Sequence, residues 1–363
     1  MKIKDILTFL GEKAHFSFQE SYDNSGLLTG HPDMESNGIL VSLDCTEAVV
    51  AEAIARGVNT IVAHHPIVFT GLKRFTGSNY VERTIIAAIK NDIAIIAIHT
   101  NLDNIVHGVN ARICDELGLV RRRILDPKSG LLHKIITFVP DASVDTVRNA
   151  MFEAGAGNIG NYSECSFSTQ GSGTFKAGAD SQPFVGEQHV RHTEGESRLE
   201  VICPKHATDR VVQAMKRAHP YEEVAHDVVD INNRWDQIGS GMIGELETPM
   251  PSLDFLIMLK NRFGGVVRYT SIHQESVQRI AVCGGSGSFL LKQAIREKAD
   301  VFVTADFKYH QFFDAENQLI IADLGHFETE QYTIDLLIGW FAEKFPTFAT
   351  HKTGVVTNPI NYL

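Results

Sequence analysis

The feature that most constrains the fold is an alternation of short apolar runs with amphipathic stretches in the first and last thirds of the chain. The runs are rich in Val, Ile and Ala, which is typical of strands buried on both faces. The pattern predicts an α/β fold, with a mainly parallel sheet flanked by helices. In the first third the predicted strands are 38–43, 59–63 and 93–98, and the helices are 46–56, 80–90 and 108–117. In the last third the predicted strands are 279–283, 301–304 and 319–322, with a helix through about residue 298, one near 307–316 and a long one at 328–343.

The middle of the chain has a different pattern. Its predicted strands are 134–139, 198–203 and 224–231, and its predicted helices are 144–153 and 208–218. Two strand–helix–strand units in tandem predict a small ferredoxin-like α+β module. Residues 155–195 are rich in glycine and polar side chains, so we expect an exposed hairpin or a mobile loop there, because such a segment buries little apolar surface.

Length and charge limit the class of protein. A chain of 363 residues suits two domains, and a formal net charge of −11 argues against broad binding to nucleic acid or anionic membranes. The five cysteines are scattered and never spaced as C-x-x-C, which predicts reduced thiols in a cytoplasmic protein. We expect no signal peptide and no membrane span, since no apolar run approaches about 18 residues.

Two adjacent histidines, His64 and His65, end the predicted strand at 59–63 and are followed by Pro66. Ligands of open α/β sheets collect at the carboxyl ends of strands. Successive strand residues point to opposite faces, so both imidazoles reach one site only if the backbone turns, which Pro66 favours. The alternative is that one histidine caps the strand and the other is solvated.

A second polar segment follows the strand at 93–98. Asp103 is a candidate oxygen ligand, and a carboxylate there could bridge two cations. His99 is an extra ligand, a donor that orients Asp103, or a buried histidine bonded to the backbone, and direct ligation is the least favoured of the three.

A third segment follows the strand at 319–322. His326 and Glu330 are spaced i and i+4, which places both side chains on one helical face. Glu328 is expected to point elsewhere and to cap the helix. The alternative for Glu330 is an ordinary surface charge.

Several other residues are weaker candidates. Asp306 and His310 could line the same pocket as substrate-binding or acid–base groups. Asp23 and Asp44 are further candidates, although a cap or turn is the simpler interpretation of each. Residues 284–287 (GGSG) follow a strand and open a predicted helix, where free N–H groups can hold phosphate, but a tight turn is the simpler account.

Three imidazoles and two carboxylates at strand ends suit Zn, Mn, Fe, Ni or Co better than Ca or Mg. Five protein ligands exceed what a catalytic mononuclear zinc site uses, so two divalent metal ions fit better. The ligands can meet only if the first and last thirds fold together. We therefore predict a discontinuous metal-binding domain at 1–126 and 242–363, with residues 127–241 as an inserted domain.

Five motifs span the chain: residues 22–27 (YDNSGL), 63–66 (AHHP), 99–103 (HTNLD), 304–310 (TADFKYH), and Gly325-His326 with Glu330. Together they resemble the GTP cyclohydrolase 1 type 2 homologue family, also described as Nif-three-like dinuclear metal proteins. The resemblance implies metal ligation by the five residues above, and a toroidal homohexamer with its metal sites facing an internal cavity. The inserted segment resembles a PII-like or CutA-like domain, as in the long form of the family, through residues 219–223 (HPYEE), which otherwise read as a turn before an edge strand.

Two functions follow as hypotheses. The favoured one is a metal-dependent hydrolase acting on a nucleotide-like or phosphorylated small molecule, with His99, Asp306 or His310 moving protons. The alternative is a metal-binding or regulatory interaction protein without catalytic activity.

Overall fold

A computed structural model describes residues 1–363. The chain divides into two compact units: one comprises Met1–Pro127 and Gln237–Leu363, and the other comprises Lys128–Asp236. The helices are α1 (Ile3–Lys13), α2 (Glu47–Arg56), α3 (Tyr80–Lys90), α4 (Thr100–Asp103), α5 (Val109–Leu117), α6 (Val144–Glu153), α7 (Thr208–Ala218), α8 (Ser252–Phe263), α9 (Leu291–Arg296), α10 (His326–Glu330) and α11 (Thr333–Lys344). None of these helices combines the length and apolarity that crossing a membrane requires.

The strands complete the element order. The strands are β1 (Gly26–Thr29), β2 (Ile39–Ser42), β3 (Thr60–Ala63), β4 (Ala94–Ala97), β5 (Val120–Ser129), β6 (Leu132–Pro140), β7 (Ser166–Lys176), β8 (Arg191–Pro204), β9 (His226–Ile231), β10 (Arg234–Pro251), β11 (Arg268–Tyr269), β12 (Ser276–Ser286), β13 (Val301–Ala305), β14 (Ile320–Asp323) and β15 (Thr350–Lys352).

The first sheet of the discontinuous unit has the order β1-β4-β3-β2-β15. Strands β15, β2, β3 and β4 are parallel, and β1 is antiparallel to β4. Every residue of β2, β3 and β4 is buried, as their apolar runs predict. Local signals set the connecting helices: Thr46 caps α2, Gly57 ends it at φ +68°, and Asn79 caps α3.

The second sheet of this unit has the order β11-β14-β13-β12-β10-β5. Strands β12, β13 and β14 are parallel, whereas β10 and β11 are antiparallel to their partners. Phe302 and Ile321 lie in its core. The unit therefore has two mixed sheets, where the sequence pattern predicted one mainly parallel sheet. The sequence pattern could not assign the strands to two sheets, because the strands of both sheets are buried apolar runs of the same kind.

Three other predictions need correction. The long helix at 328–343 is two helices, α10 and α11, because the chain turns at Gln331 and Tyr332. The helix near 307–316 is a 3-10 helix at Tyr309–Ala315. The GGSG segment does not open a helix directly, since β12 continues to Ser286 and a 3-10 turn at Ser288–Leu290 precedes α9.

The unit Lys128–Asp236 has an antiparallel sheet with the order β7-β8-β6-β9. Helix α6 connects β6 to β7 and α7 connects β8 to β9, so each strand–helix–strand unit is present. Val147 and Met215 pack with Leu199 in the core between sheet and helices. Part of the glycine-rich passage, expected as a hairpin or mobile loop, is the eleven-residue strand β7, which pairs with β8 along its whole length.

Candidate metal centre

The predicted ligands lie where parallel strands of both sheets end. His64 and His65 follow β3, and Asp103 closes the short helix α4 after β4. His326 and Glu330 are the first and last residues of α10, which follows β14. Carboxyl ends of parallel strands share one edge of a sheet, so segments distant in sequence meet there.

The donor atoms of these residues converge. Nε2 of His65 lies 2.9 Å from Oε2 of Glu330, and Nε2 of His326 lies 3.1 Å from the same oxygen. Nε2 of His64 lies 3.6 Å from Oδ1 of Asp103 and 3.9 Å from Oε1 of Glu330. The structure thus brings all five predicted ligands together.

Several of these atoms are buried without a hydrogen bond. His64 is fully buried and Glu330 is 3% exposed, yet Nε2 of His64, Oδ1 of Asp103 and Oε2 of Glu330 have no partner with hydrogen-bonding geometry. The oxygens of Glu330 and the nitrogens of the imidazoles are therefore close together, but they are not oriented as hydrogen-bond partners. Leaving such groups unsatisfied is costly, and a metal ion would satisfy them. The residues present fit a metal.

Each candidate histidine is oriented through its other ring nitrogen. Nδ1 of His64 lies 2.8 Å from the Ile98 carbonyl, and Nδ1 of His65 lies 2.8 Å from the Asp44 carboxylate. Nδ1 of His326 lies 2.7 Å from Asp306. A histidine that donates from Nδ1 presents the lone pair of Nε2, which is the usual arrangement around metal-binding imidazoles.

The orienting roles of Asp44 and Asp306 were not apparent from the sequence. Asp44 was considered a cap or turn residue, and Asp306 a candidate acid–base group. Both follow parallel strands, β2 and β13, at the same edge as the ligands. That placement is the signal that could have identified them.

His99 lies beside the cluster. Its ring centroid is 5.3 Å from those of His64 and His65, and its Nδ1 is 2.7 Å from Asp23. The ring bonds Asp23, so the expectation that it orients Asp103 through its ring is not met. Its nitrogen is nonetheless close enough to those of His64 and His65 for the three to hold an ion.

Two further candidates lie elsewhere. The structure does not place His310 at the cluster: it is exposed, and its ring stacks near Phe313 with centroids 6.4 Å apart. Glu328 lies in the first turn of α10 and points away from the cluster, as expected, but it is buried and accepts a hydrogen bond from Asn358 at 2.9 Å, and no side-chain cap bond is formed at this helix.

The electrostatics of the cluster are strongly coupled. Burial is the largest single influence and lowers the pKa of His65 and of His326, but Glu330 and the anchoring aspartates, Asp44 and Asp306, together outweigh it and raise these values to about 10 and about 11. Burial, with the repulsion of Glu330, raises the pKa of Asp103 to about 7. Burial raises the pKa of Glu330, yet the two imidazolium charges hold it well below its usual value. Protons therefore occupy this site when no metal does.

The cluster opens into a cavity of about 510 Å³. Tyr22 and Phe69 line one part of it and Phe289 another, while Asn358 and Ile360 come from the C-terminal segment. The arrangement combines apolar walls with a polar floor, as small-molecule sites do.

The chain is similar to proteins with solved structures over its whole length. A crystal structure of a Bacillus cereus protein related to NIF3 is 34% identical, with a TM-score of 0.86, and the match covers 100% of this chain and 99% of that one. A crystal structure of a Staphylococcus aureus protein is 31% identical, with a TM-score of 0.79 and the same coverage.

Curated relatives and a family model agree with this likeness. A Staphylococcus aureus (strain COL) protein named GTP cyclohydrolase 1 type 2 homolog is 33% identical over 370 residues, covering 100% of both chains. A Staphylococcus epidermidis (strain ATCC 12228) protein of the same name is 34% identical over 369 residues, also covering 100% of both. The model of the Duf34/NIF3 family (NGG1p interacting factor 3) matches residues 1–359. The chain belongs to the Duf34/NIF3 family.

Proposed function

We propose that the protein binds two divalent metal ions with His64, His65, Asp103, His326 and Glu330. The observation that carries this proposal is the convergence of their donor atoms around buried, unsatisfied positions. These residues form two groups that could each hold an ion, one of His65 and His326 and the other of His64 and Asp103, with Glu330 in both. A carboxylate shared by two groups suits a bridged pair. The sequence analysis instead considered Asp103 as the carboxylate that bridges the two cations.

The donor set favours borderline transition metals. Imidazole nitrogens suit Zn, Mn, Fe, Ni or Co, whereas Ca and Mg prefer sites built from oxygen. The hydrogen bonds that His65 donates to Asp44 and that His326 donates to Asp306 support ligation, because they fix the ring orientation and increase ligand basicity.

We propose that the site hydrolyses a nucleotide-like or phosphorylated small molecule. When bound, two divalent ions would lower the pKa of water and stabilise negative charge that develops on a phosphate or carbonyl. His99 lines the cavity and is fixed by Asp23, so it is positioned to move a proton to or from a substrate. Asp306, predicted from the sequence as a substrate-binding or acid–base group, accepts a hydrogen bond from His326, which supports a role in positioning that ring.

The cavity and the names of the relatives support a nucleotide-like substrate. A volume of about 510 Å³ with aromatic walls accommodates a heterocycle. No Lys or Arg lines it, so positive charge for a phosphate would have to come from bound ions or protonated imidazoles. The relatives carry the name GTP cyclohydrolase 1 type 2 homolog, which makes GTP the first substrate to test. With GTP, one water would add to the imidazole carbon of the purine and open the ring by breaking one C–N bond, and a second water would hydrolyse the resulting formamide, releasing formate and leaving two amines.

The test is turnover by metal-loaded protein. GTP and a library of phosphoesters are incubated with wild type, with His65→Ala, and with His31→Ala, which removes an exposed histidine outside the cluster. Turnover by wild type and His31→Ala that His65→Ala loses supports the hydrolase. Equal rates from all three proteins would contradict it, and tight metal binding without turnover would favour the non-catalytic, regulatory alternative.

Three further aspects belong to the same proposal. We propose that residues 127–241 form a separate inserted ferredoxin-like, PII-like domain, supported by the strand order of the unit Lys128–Asp236. We propose a toroidal homohexamer, as the family resemblance implies, and a location in the cytoplasm, which the scattered cysteines favour. Native mass spectrometry of the full chain measures the assembly, and a monomer or dimer would contradict it.

A further inference from the structure

A second cavity lies within the unit Lys128–Asp236. Its volume is about 690 Å³. Along β8, Leu199 and Val201 belong to the core beneath the helices, whereas Glu196 and Arg198 line the cavity. Because strand side chains alternate between faces, the cavity lies on the sheet face opposite the two helices. It shares no lining residue with the metal centre.

The floor of this cavity carries a buried carboxylate. Glu196 is only 8% exposed, and its Oε1 accepts a hydrogen bond of 2.8 Å from the Tyr221 hydroxyl. Its Oε2 accepts no hydrogen bond and lies over Gly173, where a Cβ would be 2.0 Å away. A glycine at this place in β7 thus leaves room for the carboxylate. A largely buried carboxylate with a free oxygen at a cavity favours a positively charged or strongly donating partner.

Aromatic rings line the cavity around Tyr221, the residue that bonds the carboxylate. The ring centroids of Phe175 and Phe184 each lie 6.2 Å from that of Tyr221. The flat, electron-rich faces of aromatic rings attract cations, and a cluster of them beside a carboxylate is a common way to bind an organic ammonium group.

The remaining charges at the cavity agree with a cationic ligand. Glu222 and Glu223 also line it, and Oε1 of Glu222 accepts a hydrogen bond from the Gln182 backbone. The lining cations are Lys176 and Arg198, and Nε of Arg198 is held 3.0 Å from Glu200. Carboxylates outnumber free cations, which disfavours phosphates and carboxylic acids.

We propose that this cavity binds a small organic cation, a primary amine carried on an apolar or aromatic body. The ammonium group contacts Oε2 of Glu196, and the body packs against Phe175, Phe184 and Tyr221. The site is a second ligand site of the chain, separate from the metal centre and independent of its proposed chemistry.

The experiment titrates the full-length protein by isothermal calorimetry with three probes of one shape. Phenethylamine is the cation, phenethyl alcohol its neutral analogue and 3-phenylpropanoate the anion. The variants are Glu196→Gln, which removes the charge, and Phe184→Ala, which removes an exposed wall of the cavity. Glu153→Gln is the matched control, since it removes an exposed carboxylate from the end of α6.

Wild type and Glu153→Gln are expected to bind phenethylamine at least tenfold more tightly than the alcohol, and to bind the anion not at all. Glu196→Gln should weaken amine binding about tenfold or more, and Phe184→Ala several-fold. Equal affinity for amine and alcohol, or no binding of any probe by wild type, would overturn the proposal. Should Glu196→Gln lose its fold by circular dichroism, unchanged affinity in Phe184→Ala would overturn it.

Discussion

The Nε2 atoms of His65 and His326 lie 3.3 Å apart, although 261 positions separate the two residues in the sequence. Each ring is anchored at Nδ1 by a different aspartate, so neither can easily turn its Nε2 away. Two ring nitrogens held this close repel when both carry protons. A metal cation that replaces these protons would attract both nitrogen lone pairs and the carboxylate of Glu330. The cluster is therefore interpreted as a metal centre.

Removing the anchor of His65 should weaken metal binding without removing a ligand. Asp44 accepts hydrogen bonds from His65 at 2.8 Å and from Thr357 at 2.6 Å, and Asp44→Asn loses the charge that increases the basicity of the imidazole. We expect metal affinity to fall about tenfold to a hundredfold. Competition with a chromophoric chelator measures it, and Asp33→Asn, at an exposed aspartate paired with Lys4, is the control. Identical affinities in the two variants would contradict the role of Asp44.

A methyl group at Gly285 should damage the centre directly. Gly285 has φ +59°, and a Cβ there would lie 2.3 Å from Oε1 of Glu330 and 3.1 Å from Nε2 of His326. Gly285→Ala therefore displaces two proposed ligands, and we expect at least a tenfold loss of metal affinity.

Gly57→Ala separates this collision from backbone strain. Gly57 has a similar φ of +68°, but no atom lies within 4 Å of its Cβ position. Both substitutions put a side chain in the left-handed region, at a cost of roughly 1 kcal/mol of unfolding free energy. Chemical denaturation should show that cost in both proteins, while only Gly285→Ala loses metal. Loss of metal by Gly57→Ala as well would indicate a general folding defect.

Metal binding should release protons and strengthen as pH rises. In the metal-free protein the pKa values of His65 and His326 are raised to about 10 and about 11, so both rings are protonated on both nitrogens and positively charged at pH 7.5. The pKa of Asp103 is raised to about 7, so a fraction of it is also protonated. A cation must displace these protons, and raising the pH removes the competition. Calorimetry of metal binding in buffers of different ionisation enthalpy counts the protons, and a count of zero at pH 7.5 would refute the coupling.

Much of the fold could be predicted where signals are local. Helices α3 and α7 have the predicted bounds, because periodicity and length agree in both and Asn79 also caps α3. Strand β7 lies in the passage predicted as a hairpin or mobile loop, and its bounds could not be predicted because most of its residues are glycine or polar and it is defined by backbone pairing to β8. The division of the large unit into two sheets depends on which strands pair, and periodicity carries no information about pairing.

The candidate site shows the same limit. The i, i+4 spacing of His326 and Glu330 is realised within α10, since helical geometry follows from local sequence. The hydrogen bond between His65 and Asp44 links the ends of two different strands, and the one between His99 and Asp23 links residues 76 positions apart. Such pairs cannot be predicted from local sequence. His310 was selected by its closeness to Asp306 in sequence, but the 3-10 turn at Tyr309–Ala315 leaves it exposed.

Anomalous diffraction from crystals of the metal-loaded protein tests the central claim most directly. Data collected at the absorption edge of the loaded metal should show two peaks per chain, about 3.5–4 Å apart, with Glu330 between them. His65 and His326 should contact one ion, and His64 and Asp103 the other. A single peak, or peaks surrounded by other side chains, would contradict the account.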